Sequence, residues 1–579
     1  MEPQPISLIE AMIRRKKRAA QKTTIAIETE EENKLEPTDK IVGDPIQEPI
    51  QPKMMSRPHT MVSNVEFRQQ LGSFSKKRPL EDSTDPALKY DDDEPIDETI
   101  KQTPEKESVK KDPSTLNPDE SFTISLKIKH KVLQLNSASA TVEPLLFTIN
   151  ALPDNDEKKV PLDLICVLDT SGSMEGSKIM LLIETLKYLV DLLGENDRIS
   201  IVKFSSRGAR LLPLKRVSEV NKPEILKVIN SLVASGGTDI TDGMRHAVRI
   251  INERKFRNPV TSVFLLSDGL DEKAVYGVGE LLNTQQPKDN FTIYSFGYGS
   301  DHDPNLMSTI AKYKDGTFYF VEKLETVHES FVDALGALIA IVGQDITITI
   351  QGVQSDIFPN LEIKKAFGGA DLWKTIDGTY STGISQLPSD KSKNYVLELV
   401  IPKSSKSLTD QQREVILAKA LVTVRIPNTT TVWKKECELK VDLLNEEEEL
   451  PPQVADKDVL NNYYRVRSAE IMMEAKKFAE NANYDEGEKI LQNFKEELSN
   501  SAVKDEDMVV GLLEDIEITI GEMKPKIYEA VGKHRLEQQV TSHMKERSNP
   551  YAASSFNMYG TYRQKKMVLN ARFGNTFAE

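Results

Sequence analysis

The N-terminal stretch of the chain shows no sustained apolar period. Residues 1–118 mix Pro, Glu, Lys, Asp and Thr with short charge runs such as EEEN and YDDDEP. Such a composition cannot offset the entropy of ordering a backbone, so disorder is expected there. Two pieces differ. In ISLIEAMIRRKKR, Ile6, Ile9, Met12 and Ile13 fall at helical spacing before five basic residues, Arg14 to Arg18, and a second basic cluster runs from Lys76 to Arg78. The pattern becomes strand-like at SFTISLKIKH and again at EPLLFTINALP. This predicts a small β segment over 119–159, able to pair with strands later in the chain.

Between 160 and 343 strands and helices alternate. LDLICVL, RISIVKF, SVFLLS, FTIYSFGYG and GTFYFV are short apolar runs, and helical periods cover 177–193, 222–233, 241–254, 272–284, a short stretch after Pro304, and 325–342. Near-continuous apolar strands alternating with helices imply a doubly wound α/β domain whose mostly parallel sheet is covered on both faces. After Gln344 the period becomes two, with Ile346, Ile348 and Ile350 on one face, then Tyr395, Leu397, Leu399 and Ile401, then Ala420, Val422, Val424 and Ile426. That predicts an antiparallel β domain over 344–445. The acidic run Glu446 to Glu449 and LPP read as a linker, and from 456 Leu460, Tyr464, Ile471, Ala475 and Phe478 predict a helical hairpin through about 545. Residues 546–579 are aromatic and polar without a period and are expected to form a flexible tail. No internal repeat occurs.

Charge and cysteine content narrow the function. With 75 Lys and Arg against 90 Asp and Glu, the net charge of −15 argues against a nucleic-acid grip, which wants a basic face. The two cysteines, Cys166 in an apolar run and Cys437 in a strand-like stretch, fit a reducing compartment and rule out a disulfide framework. No signal-peptide core and no uninterrupted apolar stretch of membrane-spanning length is present. A cytoplasmic protein is therefore expected, with the nucleus as the alternative that the clusters Arg14 to Arg18 and Lys76 to Arg78 allow.

Ligands of open α/β sheets bind outside the carboxyl ends of the strands. Three loops reach that edge with oxygen donors: DTSGSMEGSK with Asp169, Ser171 and Ser173; SGGTDITDGM with Thr238; and LLSDGLDE with Asp268. Hard divalent cations take such ligands, Mg²⁺ at about 2.1 Å in octahedral geometry while keeping several waters. Two carboxylates with neutral hydroxyls under-neutralise the ion and leave it able to take one more carboxylate. Helix capping is the plainer reading of the first loop alone. Asp239, Asp242 and Asp271 read as solvated or supporting carboxylates, His302 as a turn-stabilising residue, and Cys166 as a buried small hydrophobe.

The stretches DLICVLDTSGSMEGSKI, GGTDI and LLSDG resemble the metal-ion-dependent adhesion site of von Willebrand factor type A domains. The likeness runs on through DRISIVKFS and FTIYSFGYGSDHDP to GTFYFVEKLETVHESFVDALGAL. It implies Mg²⁺, or Mn²⁺, held by Asp169, Ser171, Ser173, Thr238 and Asp268, and a protein partner whose acidic residue completes the shell. The region beyond, including NNYYRVRSAEIMMEAKKFAENANYDEGEKIL, is similar to the accessory region of intracellular eukaryotic proteins described as von Willebrand A plus Vwaint, some of which carry a RING finger. Two cysteines cannot build a RING. A non-enzymatic binding module is thus expected, without nucleic acid or membrane span. A non-RING component of a ubiquitin-ligase or other protein-modifying complex is the alternative, and a metal-dependent hydrolase a further one.

Overall fold

The computed structural model describes residues 89–96, 121–136, 138–153, 160–321, 324–338, 341–404, 406, 408–409, 412–426, 431–548 and 558–573. Both basic clusters lie outside these residues, as do 1–88 and 97–118 of the segment expected to be disordered. In chain order the strands are β1 (Phe122–Ile128), β2 (Val132–Gln134), β3 (Thr141–Ala151), β4 (Leu162–Asp169), β5 (Arg198–Phe204), β6 (Gly208–Arg216), β7 (Val260–Ser267), β8 (Thr292–Tyr298) and β9 (Phe318–Val321). They continue with β10 (Ile341–Gly352), β11 (Glu362–Ala366), β12 (Lys374–Ile376), β13 (Thr379–Pro388), β14 (Ser392–Ile401), β15 (Glu414–Arg425) and β16 (Val432–Leu444). The principal helices are α1 (Ser177–Leu192), α2 (Lys222–Asn230), α3 (Ile240–Glu253), α4 (Ala274–Gln285), α5 (Pro304–Lys312), α6 (Leu324–Gly336), α7 (Lys457–Glu480), α8 (Tyr484–Ser499), α9 (Asp507–Glu522), α10 (Lys533–Lys545) and α11 (Tyr562–Phe573).

The α/β domain is a six-stranded sheet in the order β6-β5-β4-β7-β8-β9. All its pairings are parallel except that of β6 on β5. Every residue of β4 and β7 is buried, as expected for central strands covered on both faces. Alternation along β4 splits the core. Leu164, Cys166 and Leu168 pack with α1, α2 and α6 on one face, while Ile165 and Val167 pack with α3, α4 and α5 on the other. Burial pushes the Cys166 thiol up in pKa, so it serves as packing.

The second unit is a β-sandwich of two sheets, β1-β3-β14-β11 and β12-β13-β10-β15-β16-β2, sharing one apolar core. The 119–159 segment supplies β1, β2 and β3, and β3 pairs along its length with β14, from Thr141 with Ile401 to Asn150 with Ser392. The sandwich is thus split in sequence around the α/β domain. The predicted helix 325–342 is shorter than expected. It stops at Gly336, and Ile341 and Gly343 already pair with Pro388 and Leu387 of β13. An apolar run is read equally well at either period, and cross-strand pairing decides it here.

Beyond the linker the long helices α7 to α10 stand where a hairpin was expected, with short helical turns at Pro525–Ile527 and Tyr528–Gly532 leading into α10. Two seams join them to the rest of the molecule. In the first, α7 buries Val459 and Val466 against Leu146, Phe367 and Val396 of the sandwich. In the second, α10 meets the α/β domain at His534, whose ring lies 4.4 Å from His302 and stacks on Phe320. Within the C-terminal segment α11 packs on α6 through Val568 and Val332, and Gln564 donates to the Asp333 carboxylate at 3.0 Å. Its buried anchors Thr561, Gln564 and Val568 fall at helical spacing, but two of the three are polar, so no apolar period marks them.

Burial, with the nearby His534 adding to it, lowers the His302 pKa to about 3, and burial lowers that of His534 too. The His302 ring stays neutral in the folded protein while the unfolded chain takes up a proton there below about pH 6.5. Stability is therefore present above the unfolded value and lost as pH falls through it toward the folded one. Acidification from pH 7 to 5 is expected to cost His302 about 2 kcal/mol of stability. Urea midpoints at the two pH values check this, and His302→Phe should remove that share of the drop.

Candidate metal centre

β4 ends on Asp169, which is fully buried, and the chain turns through a short 3₁₀ segment, Gly172–Met174, before Gly176 enters α1. One Asp169 oxygen accepts the Ser171 N–H at 2.8 Å and the other accepts the Ser267 hydroxyl at 2.5 Å. The hydroxyls of Ser171 and Ser173 are 2.9 Å apart. The alternation Asp169, Ser171, Ser173 thus folds into one cluster rather than capping α1, whose N-cap position is Gly176 with φ 84° and no side-chain cap bond.

The Thr238 loop is laced onto this turn by main-chain bonds. Gly172 N–H donates to Gly236 O at 2.9 Å, Ser235 N–H to Thr170 O at 2.7 Å and Asp239 N–H to Ser205 O at 2.8 Å. Gly236 takes φ 85°, so the loop can reverse there. Thr238 is half-buried two residues on. Asp268 follows β7, the neighbour of β4, and is fully buried. One of its oxygens takes the Lys178 ammonium at 3.2 Å, while Oδ1 is buried with no hydrogen-bond partner.

Burial raises the Asp169 pKa; hydrogen bonds from Ser171 and Ser267 oppose the rise, and the Asp268 charge adds to it. Two buried carboxylates of like charge, with one bare oxygen, make a spot short of positive charge. Lys178 supplies part of it and also reaches both oxygens of Asp301, at 2.8 and 2.7 Å. Burial would lower the Lys178 pKa, but Asp301 and Asp268 outweigh it and the value rises. Among the described residues no group of three or more His, Cys, Asp and Glu side chains is placed to hold a metal. The groups in printed contact here are the Asp169 carboxylate with Ser171 and Ser267, the Ser171 and Ser173 hydroxyls with each other, and Asp268 with Lys178; carboxylates and hydroxyls are the oxygen donors that hard divalent cations take.

The remaining acidic residues hold the loops. Asp239 caps α3 by accepting the Asp242 N–H at 2.8 Å, Asp242 accepts the Gly208 N–H at 2.6 Å, and Asp271 accepts the Ile240 N–H at 3.0 Å. His302 ties its turn through Nδ1 to Gly299 O at 2.6 Å. Lys178 and Ser267 were not singled out in the sequence. Both adjoin the quoted motifs, Lys178 closing DTSGSMEGSK and Ser267 preceding Asp268, yet their role depends on which way the loops turn.

The family model of the von Willebrand factor type A domain matches residues 163–333. E3 ubiquitin-protein ligase WAV3 of Arabidopsis thaliana is 29% identical over 266 residues, which cover 43% of this chain and 32% of that protein. An uncharacterized protein of Synechocystis sp. is 29% identical over 185 residues, 32% of this chain and 43% of that one. The chain thus spans about a third of the length of the first relative and under half of the second. Among solved structures, von Willebrand factor type A from Catenulispora acidiphila has a TM-score of 0.54 at 17% identity, over 74% of this chain and 99% of that chain. Residues 163–333 are thus similar in sequence to von Willebrand factor type A domains, and the chain shares the fold of that solved structure.

Proposed function

We propose that the α/β domain is a protein-binding module that captures an acidic side chain of a partner through a divalent cation. Asp169, Ser171, Ser173, Thr238 and Asp268 would hold Mg²⁺ or Mn²⁺, which supplies a Lewis-acid contact for the incoming carboxylate. The observation that carries this is the buried, unpartnered Oδ1 of Asp268 beside a second buried carboxylate. An unpaired buried oxygen is costly unless something else satisfies it. Affinity capture in Mg²⁺ against chelator tests it: partners retained only with the ion, and lost when Asp169 is replaced, support the reading, and identical lists in all arms oppose it.

Lys178 sharpens the test. Its ammonium shares Asp268 with the proposed ion, and like charges a few Å apart repel by on the order of 1 kcal/mol or more. Lys178→Met is expected to tighten Mn²⁺ binding roughly tenfold in a chelator competition; weaker binding would mean that Lys178 organises the loops instead. A second reading, a non-RING component of a ubiquitin-ligase assembly, is favoured by the match to WAV3. In that reading the metal loops recruit the substrate or a neighbouring subunit, and no catalytic step falls to this chain.

A further inference from the structure

The acidic stretch KYDDDEPI (89–96), part of the segment expected to be disordered, lies against the α/β domain along β6, the sheet's outer strand, and α3. It does so through separate receptors for four side chains. Tyr90 is 3% exposed, with its ring between the Arg210 and Arg249 guanidiniums, 4.0 and 4.6 Å from its centroid. Its hydroxyl is 2.5 Å from His246 Nδ1, and its N–H donates to Glu253 at 2.7 Å. His246, Arg249 and Glu253 share one face of α3 at helical spacing. Asp92 takes both terminal nitrogens of Arg210, at 2.5 and 2.8 Å.

The Asp93 receptor is the most specific. Its carboxylate, on a residue 7% exposed, accepts the consecutive N–H groups of Lys255 and Phe256 at 2.7 and 2.8 Å, and Arg198 Nη1 at 3.0 Å. Arg198 is fully buried and is already held by Asp163 on its other two nitrogens, so its remaining nitrogen is aimed at an incoming acid. Glu94 accepts from the Arg216 N–H at 2.9 Å and from Asn221 at 2.8 Å. Its own N–H donates to Leu214 O at 2.8 Å, one rung of strand addition on the open edge of β6. In a chain of net charge −15, five cations, Arg198, Arg210, Arg216, Arg249 and Lys255, gather here against the overall balance.

We infer that this groove is a second ligand site of the chain, a receptor for short acidic peptides of the pattern Tyr-x-Asp-Asp-Glu, which its own residues 90–94 fill in cis. The site uses none of the five residues proposed to hold the metal. The segment is held by side-chain ion pairs, the buried Tyr90 ring, hydrogen bonds between side chains and main chain that include Arg198 Nη1 to Glu94 O at 2.6 Å, and one main-chain rung, all noncovalent and therefore open to competition by a matching peptide. The segment is joined covalently to the body, so it binds intramolecularly and a free peptide competes poorly until the chain is cut between residues 97 and 120 or a stronger sequence arrives.

A protease site placed within 97–120 of the full chain allows the tether to be cut after folding, leaving Tyr90 to Glu94 unaltered. The probe is a fluorescent peptide of residues 89–96, read by anisotropy. After cutting and removal of the released fragment, the body is expected to bind the peptide at least tenfold more tightly than the uncut chain does. The same peptide carrying Tyr90→Ala and Asp93→Asn should bind at least about tenfold more weakly, since two receptors are then unfilled. Excess parent peptide should release the fragment and a scrambled peptide should not. A cut chain that still melts like the uncut one overturns the inference if it binds parent and scrambled peptides alike, binds neither, or keeps its fragment under excess peptide.

Discussion

Asp169→Ala is expected to abolish divalent-ion retention and metal-dependent partner capture while leaving the domain folded. The loss follows from position. Asp169 is one of only two carboxylates at the cluster, and its two oxygens organise Ser171 and Ser267. Outer-shell changes alone cost roughly 10–100-fold in metal affinity, so losing a ligand that also orders its neighbours should exceed that. Folding should survive for an opposing reason. Asp169 is a buried carboxylate whose ionisation is disfavoured by burial and by Asp268. Its removal relieves that repulsion while leaving one N–H and one hydroxyl without acceptors, a cost of about 1–3 kcal/mol for each. A Mn²⁺ titration followed by electron paramagnetic resonance, paired with a thermal melt, separates the two effects.

The largest stability change is expected at Asp163, on the opposite edge of the same sheet. Its carboxylate is fully buried and shared by two buried arginines, with Arg198 Nε and Nη2 both at 2.7 Å and Arg254 Nη1 at 2.6 Å, and it also accepts the Asn258 N–H at 3.2 Å. Arg254 reaches on to Asp289 at 2.7 Å, and Arg198 to Asp93. Removing one partner from a buried ion pair leaves an uncompensated charge at a cost of about 3–5 kcal/mol. Asp163→Asn keeps the shape and removes the charge beneath two guanidiniums, so it should lower the unfolding free energy by that amount, read as a lower urea midpoint at unchanged slope. A change below about 1 kcal/mol would mean that Asp93 and Asp289 suffice to hold both arginines.

What could be read in advance follows the range of the interactions. β4 and β7 carry the apolar runs LICVL and VFLL because they are buried on both faces, and the motifs that follow mark where Asp169 and Asp268 leave the sheet. The α/β fold, and the strand ends from which those loops leave, were therefore legible. The end of α6 was not, because Ile341 belongs to β10 only once β13, nearly fifty residues later, is there to pair with it. The docking of Tyr90 to Glu94 was invisible for the same reason. YDDDEP has the composition of a solvated run, and its order comes from Arg198, Arg210 and Lys255, all more than a hundred residues away. Lys178 shows the limit inside a recognised motif: its letter is plain, but its pairing with Asp268 and Asp301 exists only after three loops meet.

The most direct measurement is a calorimetric titration of Mg²⁺ into the purified full chain, beside Asp169→Ala and Asp268→Asn. One saturable event at millimolar ion or below in the wild type, absent from both variants, is the predicted result. No heat in the wild type, confirmed by a melting temperature that does not move with Mg²⁺ or Mn²⁺, would contradict it and leave the domain as a binding surface without an ion.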